Sequence, residues 1–476
     1  MTEKSPIPVM LFVDLDGTLI KTDLLVESAL VLLKKSPWRI FSMILWVLKG
    51  KAHLKAEIAK RVTLEIDTLP LQEDFVTFLH EQAALGRPLY LATASDRKLA
   101  EPLAQRVGLF SQVVASDGTR NLKSEEKLSA MRAIANGQPF AYAGNARVDF
   151  PVWAAASEAI VVNPGPGVEC GARERSKVSR VFDDRPPAWR VWVKEARLYQ
   201  WMKNLLIGVP LLTAHAFNFV SALTVLQGFV AFGLVASATY MLNDLLDLPS
   251  DRRHPRKCRR PFAAGNLGIV EGVMGIVLML AGGLALAANL SLHFLLALLL
   301  YLIVTLSYSL YFKAYVLIDV LLLASLYTIR IIAGAIAIKV DVSSWLLAFS
   351  MFTFLSLALV KRGSELVAME TLARTGARGR DYQLTDTQAI VSMGVAAGYL
   401  AVLVLALFVD SLSVIQNYTY PRLLWLLCPL MLYWVSRLWI KTTRGEMHDD
   451  PLLYSLRDRG SWLVFAGMTA VTLIAA

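Results

Sequence analysis

The chain has 476 residues, of which 55% are hydrophobic and only 18% charged, and its mean hydropathy is +0.50. Soluble domains average about 25% charged residues, so this composition excludes an ordinary soluble protein and indicates a membrane protein. A net charge of +10 would also suit nucleic acid. Most of the basic clusters, however, lie beside apolar runs, where membrane topology and anionic phosphates explain them, so no nucleic-acid partner is expected.

The apolar residues divide the chain into two regions. Met1 to about Lys203 has ordinary globular proportions, whereas Asn204–Ala476 is a series of long apolar runs. We expect a soluble domain over 1–185 and a membrane domain over 186–476. The apolar stretch Val9–Val13 is too short for a secretory signal, which predicts that the soluble domain stays in the cytoplasm. The three cysteines are too few and too scattered for a disulfide framework or a thiolate metal site.

The soluble region alternates short β-like runs with helical segments, which predicts a parallel α/β sheet. The runs are Met10–Val13, Leu89–Ala92, Phe140–Ala143 and Ala159–Val162. A largely helical insertion, about 21–85, separates the first two. It contains the aromatic segment Trp38–Leu48, which is too short to span a bilayer, so both a core helix and a helix on the membrane surface remain open.

The first run ends in the motif Asp14-Leu15-Asp16-Gly17-Thr18. Two acids at i and i+2 on a strand point to the same face, so both can reach one phosphate and its metal ion. The motif resembles the first motif of the haloacid dehalogenase superfamily. That resemblance implies a Rossmann-like phosphatase domain in which the insertion is a helical cap.

Other motifs of that superfamily follow in order. Thr93 resembles its phosphate-binding hydroxyl, and Lys127 its lysine, with Lys123 as the less favoured candidate. In the fourth motif, Gly144–Asp149, Asn145 stands where the family usually has an acid.

The resemblance implies that Asp14 attacks a phosphate monoester and that Asp16 acts as acid and base. Thr18, Thr93 and Lys127 would bind the phosphate. Mg²⁺ would be held by Asp14, the backbone of Asp16 and Asp149, with the Asn145 amide oxygen as a further ligand or as the partner of a bound water. Because Asn145 removes one negative charge from the metal site, both an active phosphatase and a degenerate scaffold remain open.

Nine candidate membrane spans follow from Asn204 onward. We expect them to be helices, because a helix satisfies its own backbone hydrogen bonds inside lipid. They lie near 204–219, 222–243, 268–288, 291–310, 316–338, 343–360, 388–411, 421–440 and 461–476. With the N-terminus inside, the inward loops carry nearly all the loop Lys and Arg, which is the positive-inside pattern.

An acidic cluster stands at the inner end of the second span. Asn243, Asp247 and Asp251 are spaced i, i+4 and i+8, and Asp244 lies three residues before Asp247. On a continuing helix they would share a face, although Pro249 is expected to kink it. Carboxylates beside lipid are costly without a cation, and they suit Mg²⁺ carrying a diphosphate. The alternative is an acidic loop exposed to solvent.

The cluster resembles the first aspartate-rich motif of the UbiA-type intramembrane prenyltransferases, whose members have nine helices. Gln200–Asn204, His254-Pro255 and Arg260–Gly265 resemble the branch of the decaprenyl-phosphate phosphoribosyltransferases. The second family motif would be Tyr308–Lys313 with Asp319 as a further metal ligand. Leu323 stands where many aromatic prenyltransferases carry another acid.

The membrane region also offers a surplus of cations, which suits a donor with phosphates at both ends. The expected substrate-binding residues are Lys203, Asn204, Tyr308, Lys313, Arg330, Lys361 and Arg362, with Arg378 and Arg380 on the same loop. As an alternative, Lys361 and Arg362 snorkel at a helix end, and Arg378 and Arg380 are ordinary inward-loop charges.

The resemblance implies a bifunctional enzyme of the plasma (inner) membrane. The membrane domain would transfer 5-phosphoribose from 5-phosphoribosyl 1-diphosphate to polyprenyl phosphate. The N-terminal domain would then remove the 5-phosphate, giving polyprenyl-phosphoryl-ribose for a cell-envelope glycan. Two alternatives remain: an aromatic-substrate prenyltransferase of quinone biosynthesis with an accessory phosphatase, and a lipid-binding scaffold whose two sites have decayed.

Overall fold

The computed structural model describes residues 9–117, 122–214, 216–371, 381–411, 418–447 and 450–475. The chain divides into two compact units. The first contains Met1–Ala196 and Met241–Gly275, and the second contains Arg197–Tyr240 and Ile276–Ala476.

A parallel six-stranded sheet forms the centre of the first unit, in the order β3-β2-β1-β4-β5-β6. Its strands are β1 Met10–Val13, β2 Leu89–Asp96, β3 Gln112–Ser116, β4 Phe140–Gly144, β5 Glu158–Val162 and β6 Val178–Phe182. The strand order reverses between β1 and β4, so the carboxyl ends of these two strands open a crevice. In open α/β sheets, ligands bind at such a switch point.

Helices α1 Leu24–Lys35, α2 Arg39–Leu48 and α3 Lys51–Ala59 lie in the insertion between β1 and β2. Helices α4 Glu73–Ala84 and α5 Arg97–Val107 cover one face of the sheet, and α6 Glu125–Ala135, α7 Phe150–Ala155 and α8 Val168–Arg173 cover the other. Helix α9 Ala188–Glu195 follows β6. Leu11 and Val13 point into one core with Phe75 of α4, whereas Phe12 points into the other with Trp153 of α7. This alternation is what a strand buried on both faces requires.

The parallel α/β sheet expected from the sequence is confirmed, and all four predicted strands are present with ends no more than four residues from those expected. Strands β3 and β6 were not predicted. Both lie at the edges of the sheet, and β6 is the more polar, with Ser179 and Arg180 exposed. Edge strands carry a weaker apolar signal because one side faces solvent.

The second unit is helical. The helices that follow α9 in the chain, including those of the first-unit stretch Met241–Gly275, are α10 Val209–Thr213, α11 Phe219–Leu246, α12 Leu248–Arg253, α13 Ile269–Leu290, α14 Leu292–Leu310, α15 Ile318–Ile338, α16 Ser344–Thr371, α17 Thr387–Val409, α18 Leu427–Thr443, α19 Pro451–Arg457 and α20 Arg459–Ala475. Among the described residues, seven helical stretches are long and apolar enough to cross a membrane. They contain α11, α13, α14, α15, α16, α17 and α18.

Seven of the nine expected spans are therefore confirmed among the described residues. The first expected span, 204–219, is not one helix: residues Leu198–Gly208 form a 3₁₀ helix and α10 has five residues. Pro210 has no N–H to donate, so it fits only the first turn of a helix. The ninth corresponds to α20, an apolar helix with 17 described residues.

Glycines allow α17 and α18 to pack closely. A Cβ on Gly394 would lie 1.9 Å from Trp439, and one on Gly398 would lie 2.4 Å from Val435. The pair is spaced i, i+4, which is the small-residue pattern by which helices approach each other in lipid, where van der Waals contact drives association. The indole of Trp439 also donates to Ser356 of α16 at 3.1 Å, so one side chain links three helices.

We predict that Gly394→Ala destabilises this bundle. Overpacking of a close contact costs about 1–3 kcal/mol, which lowers the midpoint of thermal unfolding by roughly 2–4 °C per kcal/mol. Gly282→Ala in α13 is the matched control, because its Cβ would meet Leu234 at an ordinary 3.7 Å. Alanine favours a helix by up to about 1 kcal/mol, so the control midpoint should stay or rise. Equal midpoints for the two variants in detergent would contradict the packing.

Candidate active sites

The first site lies at the carboxyl end of β1. Asp14 contacts Lys127 at 2.9 Å, and the ammonium also lies 3.9 Å from Asp149. Tyr142 of β4 donates to Asp149 at 2.8 Å and accepts from Lys127 at 2.9 Å, so its hydroxyl bridges the two. All four side chains are buried. The sequence did not reveal Tyr142, because a tyrosine in a buried strand is usually packing.

The charges of this cluster shift one another's pKa. Burial on its own would lower the pKa of Lys127, but the carboxylates of Asp14 and Asp149 outweigh it and raise that pKa above its ordinary value. Burial also raises the pKa of Asp14, against the opposing charge of Lys127. Lys127 therefore stays protonated and balances the two carboxylates.

Asp16 has a different environment from Asp14. Its carboxylate accepts from the backbone N–H of Leu24 at 2.8 Å and from the hydroxyl of Ser95 at 2.6 Å. Burial, followed by the charge of Asp23, raises its pKa to about 7. A carboxyl group with that pKa can both give and take a proton near neutral pH, as a general acid and base must. Thr93, also buried, accepts from the backbone N–H of Ser95 at 3.0 Å.

Asn145 lies against the turn that follows Asp16. Gly17 has φ +75°, and a Cβ there would lie 2.1 Å from the Asn145 side-chain nitrogen. The hydroxyl of Thr18 is buried without a hydrogen-bond partner among the described residues. The structure thus gathers all the phosphatase residues expected from the sequence around the end of β1.

The donor set at this site fits Mg²⁺ in its chemistry, since carboxylate and amide oxygens are hard ligands. No group of three or more His, Cys, Asp or Glu within the described ranges has the spacing of a metal site. Asp149 is already engaged, because one oxygen accepts from Tyr142 and the other from the backbone N–H groups of Asn145 and Ala146. Asp14 and the Asn145 amide are therefore the side chains best suited to the ion.

The aspartate-rich motif also belongs to the first unit. The expectation of one continuing helix is corrected: α11 ends at Leu246, and α12 begins at Leu248 with Asp247 as its N-cap. Pro249 lies in the first turn of α12, where a missing N–H costs nothing. The break begins before Pro249, at Asp247, whose own N–H still bonds to Asn243 at 2.9 Å.

Arg260 brings two of the acids together. One of its nitrogens lies 2.9 Å from Asp244 and 2.5 Å from Asp251, and both carboxylates are buried. Lys257 adds a charge 3.6 Å from Asp251. Burial still raises the pKa of Asp251 in spite of these partners. Converging carboxylates that need a cation fit Mg²⁺ in their chemistry. Asn243 and Asp247 are partly exposed beside them.

Arg252, which follows Asp251 in the chain, joins the aspartate-rich segment to the helical cap. It pairs with Glu27 of α1 at 2.5 Å, and both side chains are at most 5% exposed. Glu27 also accepts from the hydroxyl of Thr22 at 2.7 Å. Thr22 lies in the turn after Asp16, because its carbonyl accepts from the N–H of Gly17 at 3.2 Å. A chain of contacts thus runs from the aspartate-rich segment to the loop of Asp16.

In the second unit, Asp319 and Arg362 form a buried pair at 2.6 Å. The other Asp319 oxygen accepts from Tyr382 at 2.6 Å. Arg362 also pairs with Glu365 and lies 3.4 Å from the hydroxyl of Tyr308. Both oxygens of Asp319 are engaged, so in this structure it orients Arg362. The sequence had placed Asp319 at a metal ion.

A second cluster of the same unit surrounds Lys203 and Arg330. Lys203 pairs with Asp450 at 2.6 Å, and Arg330 donates to Asn204 at 2.9 Å and to Tyr301 at 2.9 Å. The amide nitrogen of Asn204 is buried without a partner among the described residues. It is a donor available to an anionic ligand. Asp450 was missed because the sequence separates it from Lys203 by 247 residues.

Of the remaining expected cations, Lys313 and Lys361 are partly exposed. Arg378 and Arg380 lie outside the described residues.

These observations define a multi-pass membrane protein with a phosphatase-like α/β domain at its N-terminus. Residues 205–450 match the model of the UbiA prenyltransferase family, and residues 11–153 match the haloacid dehalogenase-like hydrolases. The chain belongs to the UbiA prenyltransferase family and carries a haloacid dehalogenase-like domain fused to its N-terminus.

Three relatives extend this finding. Protein y4nM of Sinorhizobium fredii is 35% identical over 98% of this chain and 90% of its own length. The nodulation protein NoeC of Azorhizobium caulinodans is 35% identical over 58% of this chain and 90% of its own. A decaprenyl-phosphate phosphoribosyltransferase of Mycobacterium tuberculosis is 37% identical over 40% of this chain and 65% of its own.

We predict that Glu27→Gln loosens the aspartate-rich segment. Removing one partner of a buried ion pair costs about 3–5 kcal/mol, which corresponds to at least about 100-fold faster local opening. Hydrogen exchange of a peptide covering 247–254 measures that opening. Glu101→Gln is the matched control, because its pair with Arg97 spans 3.4 Å and is half exposed. If both variants exchange at the wild-type rate, the pair does not hold the segment.

Proposed function

We propose that this protein is a bifunctional polyprenyl-phosphate phosphoribosyltransferase and phosphatase. It would transfer 5-phosphoribose from 5-phosphoribosyl 1-diphosphate to polyprenyl phosphate and then remove the 5-phosphate. One observation carries the proposal: a single compact unit holds both the Asp14–Lys127 pair and the aspartate-rich segment with Asp244 and Asp251. The phosphoribosyltransferase named above supports the choice of donor and acceptor.

In the transfer step, an oxygen of polyprenyl phosphate attacks the anomeric carbon, and the bond from that carbon to diphosphate breaks. The leaving group takes the negative charge, so its neutralisation is the main requirement. Asn243, Asp244, Asp247 and Asp251 would hold Mg²⁺, which supplies that counter-charge when bound. The cations and hydrogen-bond donors of the second unit would bind phosphates: Lys203, Asn204, Tyr308, Lys313, Arg330, Lys361 and Arg362.

In the hydrolytic step, a carboxylate oxygen of Asp14 attacks the 5-phosphate, and the bond from phosphorus to the ribose oxygen breaks. Asp16 gives its proton to that oxygen, and a pKa of about 7 leaves it suited to do so. Asp16 then takes a proton from the water that hydrolyses the aspartyl phosphate. Thr18, Thr93 and Lys127 would hold the phosphate, and Mg²⁺ would reduce its charge when bound at Asp14, the backbone of Asp16 and the Asn145 amide.

The order of the steps follows from the product of the first. Polyprenyl-phosphoryl-5-phosphoribose still carries a phosphate monoester, which is the substrate class of the N-terminal domain. Fusion raises the effective concentration of one site's product at the other. Both sites would face the cytoplasm from the plasma (inner) membrane, and polyprenyl-phosphoryl-ribose would supply a cell-envelope glycan.

We predict that Asp247→Ala abolishes transfer while the protein still inserts and folds. The change removes a proposed metal ligand and part of the counter-charge of the diphosphate, so turnover should fall at least about 100-fold. Ribosyl transfer to polyprenyl phosphate by purified protein at limiting Mg²⁺ measures it. Asp410→Ala is the control. Asp410 is an exposed acid at the C-terminal end of the span α17, and its replacement should leave turnover unchanged. Wild-type turnover in Asp247→Ala would rule out the aspartate-rich segment as the metal site.

We predict that Asp14→Asn leaves transfer intact but blocks hydrolysis. The amide is nearly isosteric with the carboxylate and is a poor nucleophile, so hydrolysis should fall by at least about 10³-fold. Mass spectrometry should find a lipid one phosphate heavier than the wild-type product. Asp247→Ala should still hydrolyse that lipid when it is supplied.

Asp74→Asn, an exposed acid on α4, is the matched control and should give the wild-type lipid. If wild type and Asp14→Asn both yield the phosphorylated lipid, the N-terminal domain acts on another substrate or performs no chemistry. Prenylated hydroxybenzoate as the product from prenyl diphosphate would instead favour the aromatic prenyltransferase.

A further inference from the structure

Helix α2 exposes an unusually large apolar surface. None of its ten residues is buried. Trp38, which precedes it, is 80% exposed, and Leu48, its last residue, is 79% exposed. Between them Ile40, Phe41, Ile44 and Leu45 are each about half exposed or more. Contiguous apolar surface of this kind marks an interaction site, because single exposed apolar residues are scattered on ordinary surfaces.

The helix has two distinct sides. Met43 and Trp46 pack against the small core formed by Leu32, Ile58 and Val62, which holds α2 to α1 and α3. Trp38, Phe41, Leu45 and Leu48 follow one another at intervals of three, four and three residues, so they form one outer stripe. The inner side already stabilises the cap. The outer stripe has no part in that core.

The charges that flank the helix in sequence are all of one sign. From Ser28 to Ala56 the chain has no Asp or Glu. The cations of this stretch are Lys34, Lys35, Arg39, Lys49, Lys51 and Lys55. Lys55 donates to the carbonyl of Ala94 at 2.7 Å, so it is not among the cations that face lipid. An apolar stripe flanked by Lys and Arg is typical of a helix that lies in a membrane surface and attracts anionic lipids. A protein partner with an apolar face would not require this excess of positive charge.

A contact within the first unit places the start of α2 near the bilayer. Lys34 donates to the carbonyl of Leu246, which is the last residue of the candidate span α11. With 28 residues, α11 is about 42 Å long, which matches the thickness of a bilayer including its headgroups. Trp38 is the fourth residue after Lys34, so their Cα atoms are at most about 14 Å apart. The outer stripe therefore begins within reach of the headgroup layer.

We propose that α2 lies in the membrane surface, with its outer stripe in the boundary between lipid headgroups and acyl chains and its cations against anionic headgroups. The cap of the N-terminal domain is then a second membrane attachment, independent of the spans. This placement holds whether or not the proposed reaction is correct.

The test places a fluorescent probe on the outer stripe of the full chain. Leu45→Cys and Leu48→Cys are made separately in a chain whose three natural cysteines are replaced by Ala, and each is labelled with an environment-sensitive nitrobenzoxadiazole dye. Gln138→Cys is the matched control, because it is exposed at the opposite, amino-terminal end of β4. The proteins are reconstituted one copy per nanodisc in phosphatidylcholine with phosphatidylglycerol, with or without lipids carrying a nitroxide at shallow depth.

Both outer probes should emit at shorter wavelength than the Gln138 probe and be quenched by the nitroxide, since such helices enter about 5–10 Å deep. Emission and quenching equal to those of the Gln138 probe would overturn the proposal. The labelled proteins are also reconstituted in vesicles that hold many copies. A shift of emission that appears only in these vesicles would also overturn the proposal, because a second copy of the chain would then cover the stripe. Quenching that stays the same without phosphatidylglycerol would overturn the role of the anionic headgroups.

Discussion

Buried carboxylates in a low-dielectric environment need a positive charge beside them, and the side-chain arrangement of each candidate site meets this requirement. An isolated buried carboxylate costs several kcal/mol, so the fold must bring a cation from elsewhere in the chain. Such pairs are Asp14 with Lys127, Asp244 and Asp251 with Arg260, Asp319 with Arg362, and Asp450 with Lys203. Substrates that bring phosphates and Mg²⁺ to these places would exchange one set of charges for another.

The same requirement accounts for the connection between the two motifs of the first unit. Glu27 is buried in the cap, where Arg252 neutralises its charge, and Arg252 follows Asp251 directly. The cap helix α1, the loop of Asp16 and the aspartate-rich segment therefore form one structural unit. In our account this shared framework places a transfer motif and a hydrolytic motif on one body, and the outer stripe of α2 attaches that body to the lipid.

Much of the fold could be predicted because it depends on local patterns. The apolar strands β1, β2, β4 and β5 stand out by composition, and long apolar runs reveal spans. The Asp14 motif predicts the candidate phosphatase site because its residues are adjacent in sequence. The break at Asp247 could not be predicted, since Pro249 indicated only a kink. The prediction of a first spanning helix over 204–219 was wrong because the 3₁₀ segment before Pro210 is as apolar as a membrane helix.

Partners that come from distant sequence could not be predicted either. Nothing near Lys203 indicates that it pairs with Asp450, and nothing near Tyr142 indicates that its hydroxyl bridges Lys127 and Asp149. Such pairs are set by tertiary packing, whereas the sequence shows only which residue types are available. The exposure of α2 is a similar case, because its apolar pattern suits a core and a membrane surface equally well.

The central claim is that one chain transfers phosphoribose to a lipid and then dephosphorylates it. Purified protein can be given polyprenyl phosphate and 5-phosphoribosyl 1-diphosphate carrying one label on the ribose carbons and another on the 5-phosphate. The account predicts that both labels enter the lipid together, after which the phosphate label leaves as inorganic phosphate and the ribose label remains. Release of the phosphate label before any ribose reaches the lipid, or a lipid without ribose, would contradict it.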